Sequence, residues 1–224
     1  MKKSILIFTL MFLSFFFILK NNIFAEVSKF NSKQANNSIS TNNDANGQNV
    51  LLPMSGYYSI GADSSNDFSS FTSAVLSLDT NGISGPVTFY VMPGNYSEQI
   101  TIPSISGASS TNTITFQSYT QDSSSVLIKY SPIGINDNWV VKLNGDYINF
   151  KDISMQNTAT NAYNNVVVIS YNANFNKIQN CRIIGFYGAS YQNANLISIS
   201  GNNNSITNNL LLNGGNGIYF NSGS

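Results

Sequence analysis

Phe150-Lys151-Asp152-Ile153-Ser154-Met155, Ile178-Gln179-Asn180-Cys181-Arg182-Ile183 and Ile206-Thr207-Asn208-Asn209-Leu210-Leu211 follow one another at intervals of 28 residues. An apolar residue opens each segment, and alternation such as Ile153-x-Met155 closes it. Period two marks strands with one buried face. The same step links Val141, Ile169 and Ile197, and also Leu143, Tyr171 and Ile199. Going backward the step becomes 27, with Phe89, Phe116 and Leu143 in one row and Ile100 and Leu127 in another. Rows that recur in phase over several units identify a genuine internal repeat.

No helical stripe lies between the strands, which argues against leucine-rich and helical solenoids. Between its short apolar runs lie Gly, Asn and Ser, residues that tolerate left-handed backbone and bond to their own main chain. Expected strands include Val87–Val91, Gln99–Ile102, Thr113–Gln117, Val126–Lys129 and Val140–Leu143. About three such strands per coil, with each coil stacked on the last, make a parallel β-helix (solenoid) of the all-β class. The rows Asp146/Asn174/Asn202 and Asp152/Asn180/Asn208 then place polar side chains in register along the axis. The coils are expected over residues 87–224.

Upstream, Phe68, Phe71, Val75 and Leu78 fall on one helical stripe. The spacing predicts an N-terminal capping helix over about 67–81, with Asp67 at its start and Gly82 at its stop, inside a cap region 55–86. The cap covers the first coil, because an exposed solenoid end pairs with other chains. No such cover follows Ile218-Tyr219-Phe220, so the reading is of a solenoid truncated at the C-terminus and able to self-associate there.

Residues 1–25 read as a secretory signal peptide: Lys2 and Lys3, then an apolar run from Ile5 to Leu19, then Ala25 at the cleavage edge. That run is shorter than the roughly 20 residues that cross a bilayer, so no stable membrane span is expected after cleavage. Residues 26–54, rich in Asn, Ser and Lys, read as a disordered linker. The expected location is secreted, extracellular or at the cell surface.

Composition narrows the chemistry. Ten basic residues balance ten acidic ones, and only 9% of the 224 residues are charged. Such a chain does not track nucleic-acid phosphates. Histidine is absent, which removes Ser–His and Cys–His pairs and histidine metal ligands. The one cysteine, Cys181, allows no internal disulfide and reads as a small buried hydrophobe.

Gly56-Tyr57-Tyr58-Ser59-Ile60-Gly61, Asp67-Phe68-Ser69-Ser70-Phe71-Thr72-Ser73-Ala74-Val75, Gly85-Pro86-Val87-Thr88-Phe89, and Pro93-Gly94-Asn95-Tyr96 with Glu98-Gln99-Ile100 resemble the N-terminal module of bacterial right-handed parallel β-helix proteins. The likeness continues through Ser109 to Ser118, spans about residues 55–224 and is similar to pectin-lyase-like folds. It implies a secreted, surface-associated setting and a right-handed coil, the hand that parallel crossovers favour. It does not imply a reaction, since that superfamily holds lyases, hydrolases, adhesins and stalks.

Hydrolases of this fold work through neighbouring carboxylates. After Ser131 the only acids are Asp137, Asp146 and Asp152, two of them in Asn rows at turns. The Gly-His-Gly element of such hydrolases is missing, and so is the carboxylate cluster of a calcium-assisted lyase. Arg182, Lys142 and Lys177 read as solvated cations, and Trp139 as a packed residue at the head of a strand. No catalytic residue, metal or cofactor is assigned. Tyr147, Tyr163, Tyr187 and Tyr191 lie in or beside the longer segments between strands, where aromatic faces beside amides and hydroxyls suit sugar rings. The expected function is a non-catalytic surface scaffold that binds glycans or surface partners. The alternative is the N-terminal part of a polysaccharide lyase or glycoside hydrolase.

Overall fold

A short apolar strand cannot bury a face alone; stacked in parallel on its own repeats, it shares one continuous core. The computed structural model of the chain describes residues 42–43, 49–50, 52–160, 165–186 and 194–221. After a short antiparallel pairing of β1 (Asn42–Asn43) with β2 (Asn49–Val50), three parallel sheets share one coiled path. Sheet I holds β3 (Met54–Ile60), β4 (Ile83–Val91), β7 (Ile114–Ser118), β10 (Ile148–Lys151), β13 (Lys177–Gln179) and β16 (Ser205–Thr207). Sheet II holds β5 (Gly94–Tyr96), β8 (Val126–Tyr130), β11 (Ser154–Asn157), β14 (Arg182–Ile184) and β17 (Leu210–Leu212). Sheet III holds β6 (Ile100–Ile102), β9 (Val141–Leu143), β12 (Val167–Ile169), β15 (Asn195–Ile199) and β18 (Asn216–Phe220). The chain visits I, II and III in turn and so forms a β-solenoid of about five coils.

β3 opens sheet I, but its own coil has no strand in sheets II or III. Helix α1 (Phe71–Asn81) stands there instead, with Phe71, Ala74, Val75 and Leu78 buried. The Phe71 ring meets Tyr96 edge-on at 5.1 Å and tilts against Phe116 at 5.7 Å. The stop at Gly82 is as expected: at φ +66° its N–H donates to the Leu78 carbonyl at 2.8 Å, and a Cβ there would lie 2.9 Å from the Ser106 carbonyl oxygen. The start is not at Asp67. Ser70 is the N-cap, its hydroxyl accepting from the Ser73 N–H at 3.0 Å. The distant Glu98 carboxylate accepts from the Phe71 and Thr72 N–H groups at 3.2 and 2.8 Å, where a helix favours negative charge. Asp67 is held back against β3 and accepts from the Ser59 N–H and hydroxyl, both at 2.7 Å.

Sheets I and II keep the expected 28-residue register: Phe150 faces Ile178, which faces Ile206, and Met155 faces Ile183, which faces Leu211. Asp152, Asn180 and Asn208 explain why. They form the corner between the two sheets with φ of 56°, 54° and 54°, a left-handed turn that Asn and Asp tolerate. Sheet III departs from the expected rows. Val141 pairs with Val167 and Val167 with Ile197, so the steps are 26 and 30 residues. Leu143 accordingly faces Ile169, and Tyr171 is 64% exposed outside the row. The segments leading into sheet III vary in length, so a constant step fails there. The 27-residue rows also end early: Phe116 faces Phe89 but then Phe150, while Ile100 faces Val141 and Leu127 faces Asn95.

The core is therefore a set of inward rows. Along sheet I the rings of Phe89, Phe116 and Phe150 stack at 4.8 and 5.1 Å, and the row continues into Ile178 and Ile206.

Candidate functional site

The turns that leave sheet III are tied coil to coil by side chains. The Asp146 carboxylate accepts from the Asn174 N–H at 2.7 Å, and the Asn174 amide oxygen accepts from the Asn202 N–H at 2.8 Å. The expected polar row thus exists, although it bonds side chain to backbone more than amide to amide. Its effect is to hold the next residue of each turn, Tyr147, Phe175 and Asn203, in register. All three have left-handed backbone, with φ of 60°, 57° and 57°.

Asn suits that conformation. A bulky aromatic does not, and the strain is on the order of 1–2 kcal/mol per residue. In return the Tyr147 and Phe175 rings stack with centroids 5.2 Å apart and planes 5° from parallel. Such a pair contributes about 0.5–1.5 kcal/mol, which at best offsets part of the strain of two residues. Phe175 nevertheless remains 44% exposed and Tyr147 half-buried. Strain that is not repaid by burial is a mark of a functional position.

Of the tyrosines singled out in the sequence, Tyr147 enters this stack. Tyr163, Tyr187 and Tyr191 lie outside the described residues; in the sequence they fall between β11 and β12 and between β14 and β15, in the segments leading into sheet III. Phe175 was not foreseen, though it follows Tyr147 by the same 28-residue step that defines the repeat. Trp139 packs at the head of β9: its indole N–H donates to the Thr101 hydroxyl at 3.1 Å, and the Lys142 ammonium lies 4.4 Å from the ring centroid.

The acids serve the backbone. Asp137 accepts from the Ile133 and Gly134 N–H groups at 3.2 and 2.7 Å, and Asp122 from the Ser124 N–H at 2.8 Å. Buried Asp152 accepts from the Gln117 amide at 3.4 Å. Among the described residues no three acids or cysteines come together as metal ligands, and no helix is long and apolar enough to cross a membrane. Arg182 points outward in register between Ser154 and Leu210, with its Nε buried and unbonded.

Cys181 is buried, its thiol facing the Gln179 carbonyl at 3.3 Å. Burial pushes the thiol from 9.0 up to about 12. Burial, with Glu98 nearby, likewise pushes the Tyr96 hydroxyl from 10.0 up to about 12 while it donates to the Met92 carbonyl at 2.8 Å. Both groups fold as neutral acids. Their stabilising effect is full below the unfolded values and is lost as pH rises through the folded ones. We expect thermal stability to fall between about pH 9 and 12. A thiol reagent at pH 8 should label Cys181 only after unfolding; fast labelling of the native chain would refute the burial.

No family model and no curated protein sequence matches the chain. Among solved structures it is similar to the pectin methylesterase from Aspergillus niger in deglycosylated form, at 16% identity and a TM-score of 0.50, over 72% of this chain and 59% of that one. It is also similar to pectin methylesterase PemA from Erwinia chrysanthemi, at 10% identity and a TM-score of 0.48, over 65% of this chain and 47% of that one. The chain spans about three-fifths of the length of the first of these, and the likeness is one of architecture. What the likeness to the Aspergillus niger enzyme shows is the fold, a parallel β-solenoid.

Proposed function

We propose that the chain is an exported, non-catalytic β-helix scaffold that binds glycans through the Tyr147–Phe175 stack. The observation that carries this reading is the pairing of two strained, partly exposed rings at positions where the next coil has Asn203. Sugar rings offer apolar faces to aromatics and hydroxyls to amides, and Asp146, Asn172 and Asn174 adjoin the stack in the same turns. The backbone work done by Asp122, Asp137 and Asp146 favours a binding role over acid–base chemistry. Export rests on the charged start and apolar run of residues 1–25.

A second reading, the N-terminal part of an enzyme acting on polysaccharide, draws support from the architecture shared with pectin methylesterases, of which the chain spans only part. The test is binding of a neutral oligosaccharide, cellohexaose, by calorimetry. Phe175→Ala and Tyr147→Ala should each weaken it about tenfold, the loss of one ring contact of about 1.4 kcal/mol. Phe175→Asn should weaken binding equally yet leave stability within about 1 kcal/mol, because relief of strain offsets the lost stacking. Unchanged affinity in all three variants would exclude the stack as a site.

A further inference from the structure

Among the described residues Asn precedes Gly at Asn81-Gly82, Asn144-Gly145, Asn213-Gly214 and Asn216-Gly217. In such a pair the glycine nitrogen can reach the side-chain carbonyl carbon of the preceding Asn across a five-membered ring. No side chain on the glycine obstructs it, and the reaction is intramolecular from the start. What the fold does with each glycine N–H therefore separates the four.

Gly82 is engaged: its N–H donates to the Leu78 carbonyl, and the Asn81 amide is tied to the Ser77 carbonyl at 2.7 Å. Asn216 lies in β18, its amide donating to the Asn195 amide oxygen at 2.8 Å. Gly145 differs. It is buried, yet its N–H makes no hydrogen bond among the described residues. A Cβ there would strike the Pro103 carbonyl oxygen, so the packing demands glycine. Asn144 is exposed and held from two sides: its N–H donates to the Ile102 carbonyl at 2.8 Å, and its amide oxygen accepts from the Ser170 hydroxyl at 2.7 Å. Ser170 is itself fixed, its N–H on the Leu143 carbonyl at 3.0 Å. Gly214 also has an unbonded N–H among the described residues, but no donor there meets the Asn213 amide oxygen. One coil beyond Asn144 the equivalent pair is Asn172-Ala173, and the Ala173 N–H donates to the Ser170 carbonyl at 3.0 Å.

We infer that Asn144 is a self-modification site, which the folded chain converts to aspartate and isoaspartate with Ser170 as the activating hydroxyl. Solvent base takes the Gly145 amide proton, and the nitrogen attacks Asn144 Cγ. Negative charge then gathers on Oδ1, where the Ser170 hydroxyl already donates. A donor aimed in advance at a developing oxyanion lowers the barrier. The Cγ–Nδ2 bond breaks, the nitrogen takes a proton from solvent and leaves as ammonia, and a cyclic imide remains. Water opens that ring at either carbonyl, giving aspartate or isoaspartate. One water is consumed, one ammonia is released, and nothing is oxidised. The product adds a carboxylate to a chain of formal net charge zero, two residues before Asp146 and three before Tyr147. The step does not depend on the chain binding a glycan.

The whole folded chain is kept at about pH 8 in water enriched in oxygen-18, and its peptides are followed by mass spectrometry. Asn144 should take up heavy oxygen and appear as two isomers, about tenfold faster than Asn81 or Asn172, whose following N–H groups are engaged. Ser170→Ala should slow Asn144 about tenfold and leave Asn213 unchanged. That loss is smaller than for a buried oxyanion hole because water reaches the site. Ser170→Thr keeps the hydroxyl and should keep most of the rate.

Urea supplies the same test without a substitution. Unfolding moves Ser170 away from Asn144 and frees the Gly82 N–H, so Asn144 should slow while Asn81 speeds up. Opposite signs at two identical dipeptides are what the proposal requires. A change in the same direction at both overturns it. So does an Asn144 that stays intact in the folded chain while Asn213 converts, or a folded Ser170→Ala chain that converts Asn144 at the unaltered rate.

Discussion

Phe116→Ala is expected to destabilise the chain by about 3–5 kcal/mol, the range for deleting a fully buried aromatic ring. Phe116 lies between Phe89 and Phe150 in the inward stack and also touches Phe71 of α1. Its removal opens a cavity that joins the cap to the coils. In a solenoid each coil contacts only its neighbours, so a break near one end cannot be compensated from the other. Urea unfolding measures the loss. Amide exchange should show α1 losing protection before the coils around Ile178 and Ile206 do. Phe116→Leu keeps part of the volume and should cost distinctly less. A double-mutant cycle with Phe150 should give a coupling of about 0.5–1.5 kcal/mol. Zero coupling would mean that these two rings do not stack.

Asn176→Ala should cost about 1–3 kcal/mol, although it removes only a small polar group. Asn176 is fully buried; its amide oxygen accepts from the Ile148 N–H at 2.8 Å, and its own N–H donates to the Asn204 amide oxygen at 2.9 Å. Truncation leaves the Ile148 N–H buried without a partner, and that desolvation is the cost. The contrast is Asn174→Ala, two residues earlier on the same turn. Its bond to the Asn202 N–H is exposed, and water replaces it, so the expected loss is under about 1 kcal/mol. Equal midpoints for the two variants would refute the claim that burial sets the value of each ladder.

The contrast also marks where reading the sequence succeeds. The repeat, its strands and the helical stripe are legible because inward rows must stay apolar, and a constant corner at Asp152, Asn180 and Asn208 keeps their spacing constant. Sheet III resisted the same reading because its register depends on segment length, which the apolar pattern does not encode; Tyr171 was placed in a row that Ile169 occupies. The helix start misled for another reason. Asp67 has the right chemistry for a cap, but the carboxylate that meets the helix N-terminus, Glu98, comes from the next coil. At the candidate site, Tyr147 stood out as an aromatic beside amides. Phe175 escaped notice because turn positions are searched for Asn and Gly, and a strained aromatic there announces itself only through its φ.

The left-handed corner between sheets I and II fixes the advance of the chain from one coil to the next along one edge, while the segments entering sheet III differ in length without disturbing the stack. Such a molecule separates two kinds of change. Residues can be gained or lost on the sheet III side, and new chemistry sampled there, at little cost to the buried rows. A single residue added at the corner would turn the inward side chains of the sheet II strand that follows it to the wrong face. Change at the surface is thereby uncoupled from change in how the body is built.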